Sequence, residues 1–217
     1  MKNPLYIIGA GSVGGHVALN IDGYAKEFEV AGFFDDDPQK IGIKQFGFEV
    51  LGPIKDLKAL DHAYVVIGIA FPKVKKKIIQ TLSSHPGLEY PTLVHEKAWI
   101  SKGVSMGKGC IIYPGTTINF GSAIHDFVVL NANCSLGHHT SVGLYSSFAP
   151  GVNTGGHSII GDGVDMGIGS STLQEIQIGA GSIVGGQSMV TKNVKPNVTV
   201  AGVPAKELVS KNKPDVQ

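Results

Sequence analysis

Val128-Val129-Leu130-Asn131-Ala132-Asn133-Cys134-Ser135-Leu136-Gly137-His138-His139-Thr140-Ser141-Val142 carries an aliphatic residue at every sixth position: Leu130, Leu136 and Val142. The register extends both ways, back through Ile124, Ile118, Ile112, Met106 and Ile100 to Val94. Forward it runs through Phe148, Thr154, Ile160, Met166, Thr172, Ile178 and Val184 to Val190, with the two threonines as its polar members. Two residues before each member sits a compact side chain, among them Ala98, Cys110, Thr116, Cys134, Thr140, Ser158 and Ser188. A period of six fits neither an amphipathic helix nor a hairpin meander; it is the hexapeptide repeat of a parallel β-helix. Three hexads, 18 residues, close one triangular coil, and coils stack at a strand spacing of about 4.8 Å. Gly107, Asn119, Asn131, Gly137, Gly143, Gly155, Gly161, Gly167, Gly179 and Gly185 are placed at the corners, where a positive φ is cheap for glycine and asparagine.

Upstream the grammar changes. Residues 4–9 read as a short buried strand, a glycine turn follows, and a helix is expected from about residue 15 to 24. Strands over 27–34 and 63–69 and a helix over 73–83 complete a β/α alternation, which predicts a small parallel sheet with helices against it. Pro86-Gly87 and Pro91 punctuate the chain just before the hexads begin, so the division is a Rossmann-like domain over 1–90 and a β-helix domain with a C-terminal tail over 91–217.

The 217 residues carry a formal charge of +1 and are 42% hydrophobic, enough for a buried core and without the charge excess that draws nucleic acid or anionic lipid. The dense basic cluster Lys73, Lys75, Lys76, Lys77 reads as a solvated helix face. No apolar run approaches the roughly 20 residues that span a bilayer, and no secretory core is complete before Gly9, so a cytoplasmic protein without membrane insertion is expected. Cys110 and Cys134 lie 24 residues apart, not a whole number of coils, and are expected to stay reduced on different faces.

Two motifs carry chemistry. Gly9-Ala10-Gly11-Ser12-Val13-Gly14 is a G-x-G-x-x-G between strand and helix, and Asp35-Asp36-Asp37 follows the second strand. The pattern brings a phosphate to backbone N–H groups at a helix N-terminus, with an acid near a ribose or base. About 90 residues supply one mononucleotide-binding half, so a nucleotide-linked sugar is preferred over a nicotinamide dinucleotide; Gly68 and Ile69 complete the crevice edge. The second motif is Gly137-His138-His139 at a corner of the repeat. An imidazole accepts a proton at cell pH, which an amine or hydroxyl must lose while attacking a thioester, and His138 is the candidate general base. His139 and His157, 18 residues apart, should stack on successive coils and invite a zinc reading. No third ligand is evident, since His125 falls in another corner phase, so no metal is assigned.

With these pieces in hand the chain resembles the hexapeptide-repeat sugar acyltransferases, which include sialic acid O-acetyltransferases and bacillosamine or perosamine N-acetyltransferases. The matching residues are Gly9 to Gly14, Phe34-Asp35-Asp36, Val66-Ile67-Gly68, the hexads, Leu136-Gly137-His138 and Ala201-Gly202-Val203-Pro204-Ala205-Lys206. The resemblance implies a left-handed β-helix, three prisms side by side as a homotrimer, and acetyl-CoA in the groove between neighbours. It implies His138 as base, backbone near Gly156, Ile168 and Gly186 along the thioester arm, and Lys192 or Lys206 near the CoA phosphates. Gly9, Gly11, Ser12, Gly14, Asp35, Asp36, Gly68 and Ile69 inherit the nucleotide of the sugar substrate. Two positions depart from the pattern: His139 stands where an acid commonly orients the base, and Ser147 where some members place a second histidine near the acetyl carbonyl. His138 is then expected to have a different acceptor or to be a weaker base, with Asp126 and Asp162 as the nearby acids. The expected activity is acetyl-CoA-dependent N-acetylation of a nucleotide-linked amino sugar for cell-surface glycan synthesis; the alternatives are sialic acid O-acetylation, a nicotinamide-binding protein and a structural prism.

Overall fold

The computed structural model describes residues 2–208; the tail beyond Leu208 lies outside the described residues. Leu5, Ile7 and Ile8 are solvent-free on both sides of β1 (Asn3–Ile8), as a central strand of a parallel sheet requires. It pairs in parallel with β2 (Phe28–Phe34) on one side and β5 (Ala63–Ile67) on the other. The glycine turn leads into α1 (Ser12–Leu19) and α2 (Ile21–Tyr24), and α3 (Pro72–Leu82) follows β5. The sequence pattern gave no sign of β3 (Lys44–Gln45), β4 (Phe48–Gly52), the 3-10 turn at Ile54–Ala59 or β6 (Leu88–Glu89). The β3–β4 hairpin turns on Phe46-Gly47, both at positive φ, and phenylalanine is not a residue that announces such a turn. The sheet order β3-β4-β2-β1-β5-β6 places a topological switch at the C-terminal end of β1.

From Leu93 the chain winds through two-residue strands into three parallel sheets. Face one stacks Leu93–Val94, Ile111–Ile112, Val129–Leu130, Ser147–Phe148, Asp165–Met166 and Ile183–Val184. Face two stacks Trp99–Ile100 up to Met189–Val190, and face three Ser105–Met106 up to Gln177–Ile178. Strands pair with the one 18 residues on, as in Ser135↔Asn153, until the last coil, where Ile183 pairs with Thr199. The sixth-residue series and its compact companions fill the interior, with Cys110, Ile112, Leu130, Cys134 and Val152 all solvent-free. Both cysteines are free thiols, and burial pushes them up to about 11 and about 12.

The corners require a correction. Gly137, Gly155, Gly167 and the others do not take positive φ; the left-handed residues lie two positions later, at Gly109, Asn133, His139, Tyr145, His157 and Gly169. The earlier glycines are there for close approach between coils: a Cβ on Gly137 or Gly167 would stand 2.5 Å from the backbone nitrogen of Gly156 or Gly186.

The α/β unit lies across face one. Leu93, Ile111 and Val129 project outward from the prism into a core shared with Leu5, Val13, Val17 and Phe28. On one flank His16 stacks on Tyr113 with centroids 4.1 Å apart; on the other Phe127 stacks on Tyr145 at 5.7 Å, with Tyr90 edge-on. Lys75 joins the two units. Instead of lying on a solvated face it is 1% exposed, and its ammonium donates to the carbonyls of Phe127 (2.9 Å) and Ser146 (3.2 Å) and to Ser147 Oγ (2.8 Å). Burial pulls its pKa down to about 7 against the opposing influence of Cys110 and Asp165. Among the described residues no helix is long and apolar enough to cross a membrane.

Candidate active site

The first site forms at the switch point. Gly9 takes φ +91°, and a Cβ there would press on Ile69 Cγ1 at 2.6 Å; Gly14 passes beneath the Gly9 carbonyl and Gly68 abuts Gly14 Cα. These glycines interlock strand ends with the start of α1, which a side chain at any of them would prevent. Gly11 differs: its Cβ would meet nothing within 4 Å, so packing leaves open the space at the helix N-terminus, where Gly11 and Ser12 are exposed. Asp35 Oδ2 accepts from Ala10 N (2.8 Å) and Lys40 Nζ (3.1 Å), and its Oδ1 from Asp37 N (3.0 Å). Desolvation raises its pKa, yet those donors together outweigh it and hold the carboxyl below its ordinary value. Asp36 Oδ1 accepts from Ile54 N at 2.9 Å.

A cleft of about 630 Å³ opens here, lined by Gly9, Asp35, Asp36 and Ile69 and, on its other wall, by Lys73 and Lys77 of α3. The basic cluster therefore splits: Lys73 and Lys77 bring positive charge to the cleft, Lys75 is buried between the α/β unit and the prism, and Lys76 is exposed. The helical spacing of 73 and 77, one turn apart, was the signal for the first pair.

The second site is the vertex between faces two and three. There Phe120, His138 and Gly156 stack on successive coils, with Gly121, His139 and His157 beside them. The His138 ring lies parallel to Phe120 (5.4 Å, 11°), and a Cβ on Gly156 would stand 2.8 Å from His138 Nε2. His138 Nδ1 and His139 Nδ1 are 3.0 Å apart in a hydrogen bond. His139 and His157 stack at 4.7 Å and 4°, as their spacing predicts, and His138 stands edge-on to both. The third imidazole that spacing could not supply is thus the neighbour in sequence, His138. Inside the prism the same turn is tied by hydroxyls: Thr154 Oγ1 meets Thr140 Oγ1 (3.2 Å) and accepts from Gly137 N (3.3 Å), and Thr172 Oγ1 meets Ser158 Oγ (3.0 Å) and accepts from Gly155 N (3.1 Å).

Other expected residues fall elsewhere. Asp126 and Asp162 sit at the vertex between faces three and one, where their Oδ1 atoms accept from Lys108 N and Leu144 N; neither is placed to orient His138. Ser147 is 3% exposed with its hydroxyl held by Lys75, so it is closed to a coenzyme. Gly156 shares the vertex of His138. Ile168, 61% exposed, and Gly186 above it lie on the vertex between faces one and two, and Lys192 and Lys206 are exposed near the last coils. The α/β unit covers face one and its flanks over the coils of Leu93, Ile111 and Val129, while Ile183 and Ile168 on the later coils stay exposed; the vertex of His138 lies on the side of the prism away from that unit.

A triangular β-solenoid wound from six-residue repeats defines the hexapeptide-repeat class of proteins, here with a small α/β unit packed on one face. Residues 4–82 match the family model described as the PglD N-terminal domain. The chain is 33% identical over 211 residues to GDP-perosamine N-acetyltransferase of Escherichia coli O157:H7, spanning 93% of this chain and 95% of that one. Among solved structures, WeeI from Acinetobacter baumannii AYE superposes with a TM-score of 0.84 at 28% identity, covering 95% of this chain and 100% of that one. PerB from Caulobacter crescentus, solved in complex with CoA and GDP-perosamine, superposes with a TM-score of 0.87 at 24% identity, covering 96% and 99%. The prism is accordingly a left-handed β-helix, and the chain belongs to the hexapeptide-repeat sugar acyltransferase family that includes GDP-perosamine N-acetyltransferase.

Proposed function

We propose that this protein transfers an acetyl group from acetyl-CoA to the amine of a nucleotide-linked amino sugar, with His138 as general base. The observation that carries the chemistry is the hydrogen bond between His138 and His139. In the tautomer with His138 Nδ1 donating to His139 Nδ1, the other nitrogen of His138, which stands over Gly156, keeps its lone pair. His139 does with a neutral acceptor what a carboxylate would otherwise do, fixing tautomer and ring orientation. The sugar amine attacks the thioester carbonyl, His138 Nε2 takes the proton the nitrogen sheds, the C–S bond breaks, and the imidazolium returns the proton to the departing thiolate. The cleft at the switch point holds the nucleotide, with the α1 N-terminus and Lys73 and Lys77 as the phosphate-facing charges.

The same reading requires more than one subunit. The cleft is lined by the α/β unit that packs on face one, while the same protomer's His138 stands at the opposite vertex, so a sugar held in the cleft would meet the imidazole of a neighbour. Ile168 and Gly186, on the vertex beside face one, then approach the vertex of His138 and Gly156 on the adjoining prism, and three prisms side by side close the set.

The test is release of CoA thiol from acetyl-CoA against UDP-, GDP- and dTDP-linked amino sugars, with free sialic acid alongside. Turnover with one nucleotide-linked amino sugar is expected. Turnover with sialic acid alone would replace N- by O-acetylation, and no thiol release with any acceptor would overturn the reading.

A further inference from the structure

We propose that His138, His139 and His157 form a binding site for a zinc-class divalent cation, and that its occupation switches off acetyl transfer. Among the described residues this is the place where three metal-ligating side chains converge, each offering a ring nitrogen within 4.8 Å of the others. Three imidazoles held near 2.0–2.1 Å from a tetrahedral zinc place their nitrogens about 3.3 Å apart. His138 Nδ1 and His139 Nδ1 already stand 3.0 Å apart, and the remaining closure needs only side-chain rotation, since His139 and His157 are exposed. Backbone geometry favours the convergence: His139 (φ +55°) and His157 (φ +58°) occupy left-handed corners one coil apart, which stacks their rings at 4.7 Å. His138, in the same turn as His139, meets both edge-on.

The donor set selects the ion. Three neutral nitrogens with no carboxylate suit zinc, nickel or copper and not magnesium or calcium, which take oxygen. Three ligands leave the fourth position to water. Coordination at both Nδ1 atoms moves the shared proton of that pair to an Nε2, with no net proton release; in His138 the nitrogen needed as base is then lost or the ring is pinned away from the acceptor.

The inhibitory half rests on the proposed function; the binding half does not, and two readouts separate them. Metal-free full-length protein is titrated with Co²⁺, followed by the visible absorption of tetrahedral cobalt, and with Zn²⁺ by calorimetry. Acetyl transfer is measured in parallel by product chromatography without thiol reagents. One ion per chain is expected, with acetyl transfer falling as zinc fills the site. His157→Asn, which suits the left-handed corner, should keep metal-free activity while weakening zinc binding and inhibition about tenfold or more. Equal zinc affinity in wild type and His157→Asn, or no binding in either, would overturn the site. Binding that depends on His157 in a protein with no acetyl transfer would leave the site standing and remove the proposed function. Binding without inhibition of an active enzyme would overturn the switch.

Discussion

Two vertices of the prism are built from the same repeat and put to opposite uses. At the vertex between faces three and one the left-handed positions hold Phe127 and Tyr145, stacked 3° from parallel and covered by the α/β unit, with Lys75 driven in beside them. At the vertex between faces two and three the equivalent positions hold His139 and His157, both exposed, and none of the described residues covers them. The backbone is the same at both, so chemistry follows from what the α/β unit leaves bare and not from a special turn. A solenoid offers several equivalent corners, and packing decides which of them remains free to meet a substrate.

His138→Ala breaks the contrast most severely. We expect kcat to fall about 100-fold or more with little change in melting temperature, because the side chain stands at an open vertex. Mixing this variant, by refolding together, with a chain carrying Lys73→Glu and Lys77→Glu should recover activity that neither shows alone, if the cleft and imidazole belong to different subunits; steady-state assays of the mixture decide it. Absence of recovery would place both halves within one protomer.

Lys75→Met tests the covered vertex. Keeping the stem while removing the ammonium strands two carbonyls and a hydroxyl, at a cost of about 2 kcal/mol, or a melting temperature lower by roughly 4–8 °C. The pH dependence has a definite sign. The folded pKa of about 7 lies below the ordinary 10.5, so between those values the unfolded chain binds more protons and Lys75 makes stability rise with pH. Asp165, raised by burial, and Cys110, pushed up to about 11, are the titrating neighbours. The comparison is therefore wild type against Lys75→Met by denaturant unfolding at pH 7 and pH 9, with the rise smaller in the variant.

The smallest effect is expected at Gly156→Ala. Its new methyl meets the His138 ring and displaces it, which should lower kcat about tenfold at nearly unchanged KM and stability. An unchanged kcat would mean that the ring position over Gly156 has no bearing on turnover.

The prism was legible because a period of six leaves a mark on every coil: the interior series from Val94 to Val190 and its compact partners lie where the repeat puts them. The reason for the corner glycines was not legible, because close approach between coils and left-handed φ both call for glycine and only coordinates separate them. The stacking of His139 on His157 follows from spacing alone, whereas the convergence of His138 depends on how a tight turn points two adjacent rings. Lys75 shows the limit of reading charge as solvation: it shares the buried stripe of α3 with Pro72, Ile78 and Leu82, a spacing visible in the sequence and masked by the three lysines around it. The structure brings the glycine motif and Asp35 together at the end of β1, where the aspartate spends its oxygens on Ala10, Asp37 and Lys40, a role a motif does not reveal.

The two threonines that interrupt the interior series have a consequence at the surface. Thr154 and Thr172 accept directly from the amides of Gly137 and Gly155 and meet the hydroxyls of Thr140 and Ser158, so the turn presenting His138 is tied to the frame on its inner side. Many enzymes carry their base on a loop that must settle before each reaction cycle; in the proposed reaction the imidazole would instead stand on a fixed turn, its alignment set once, when the chain folds.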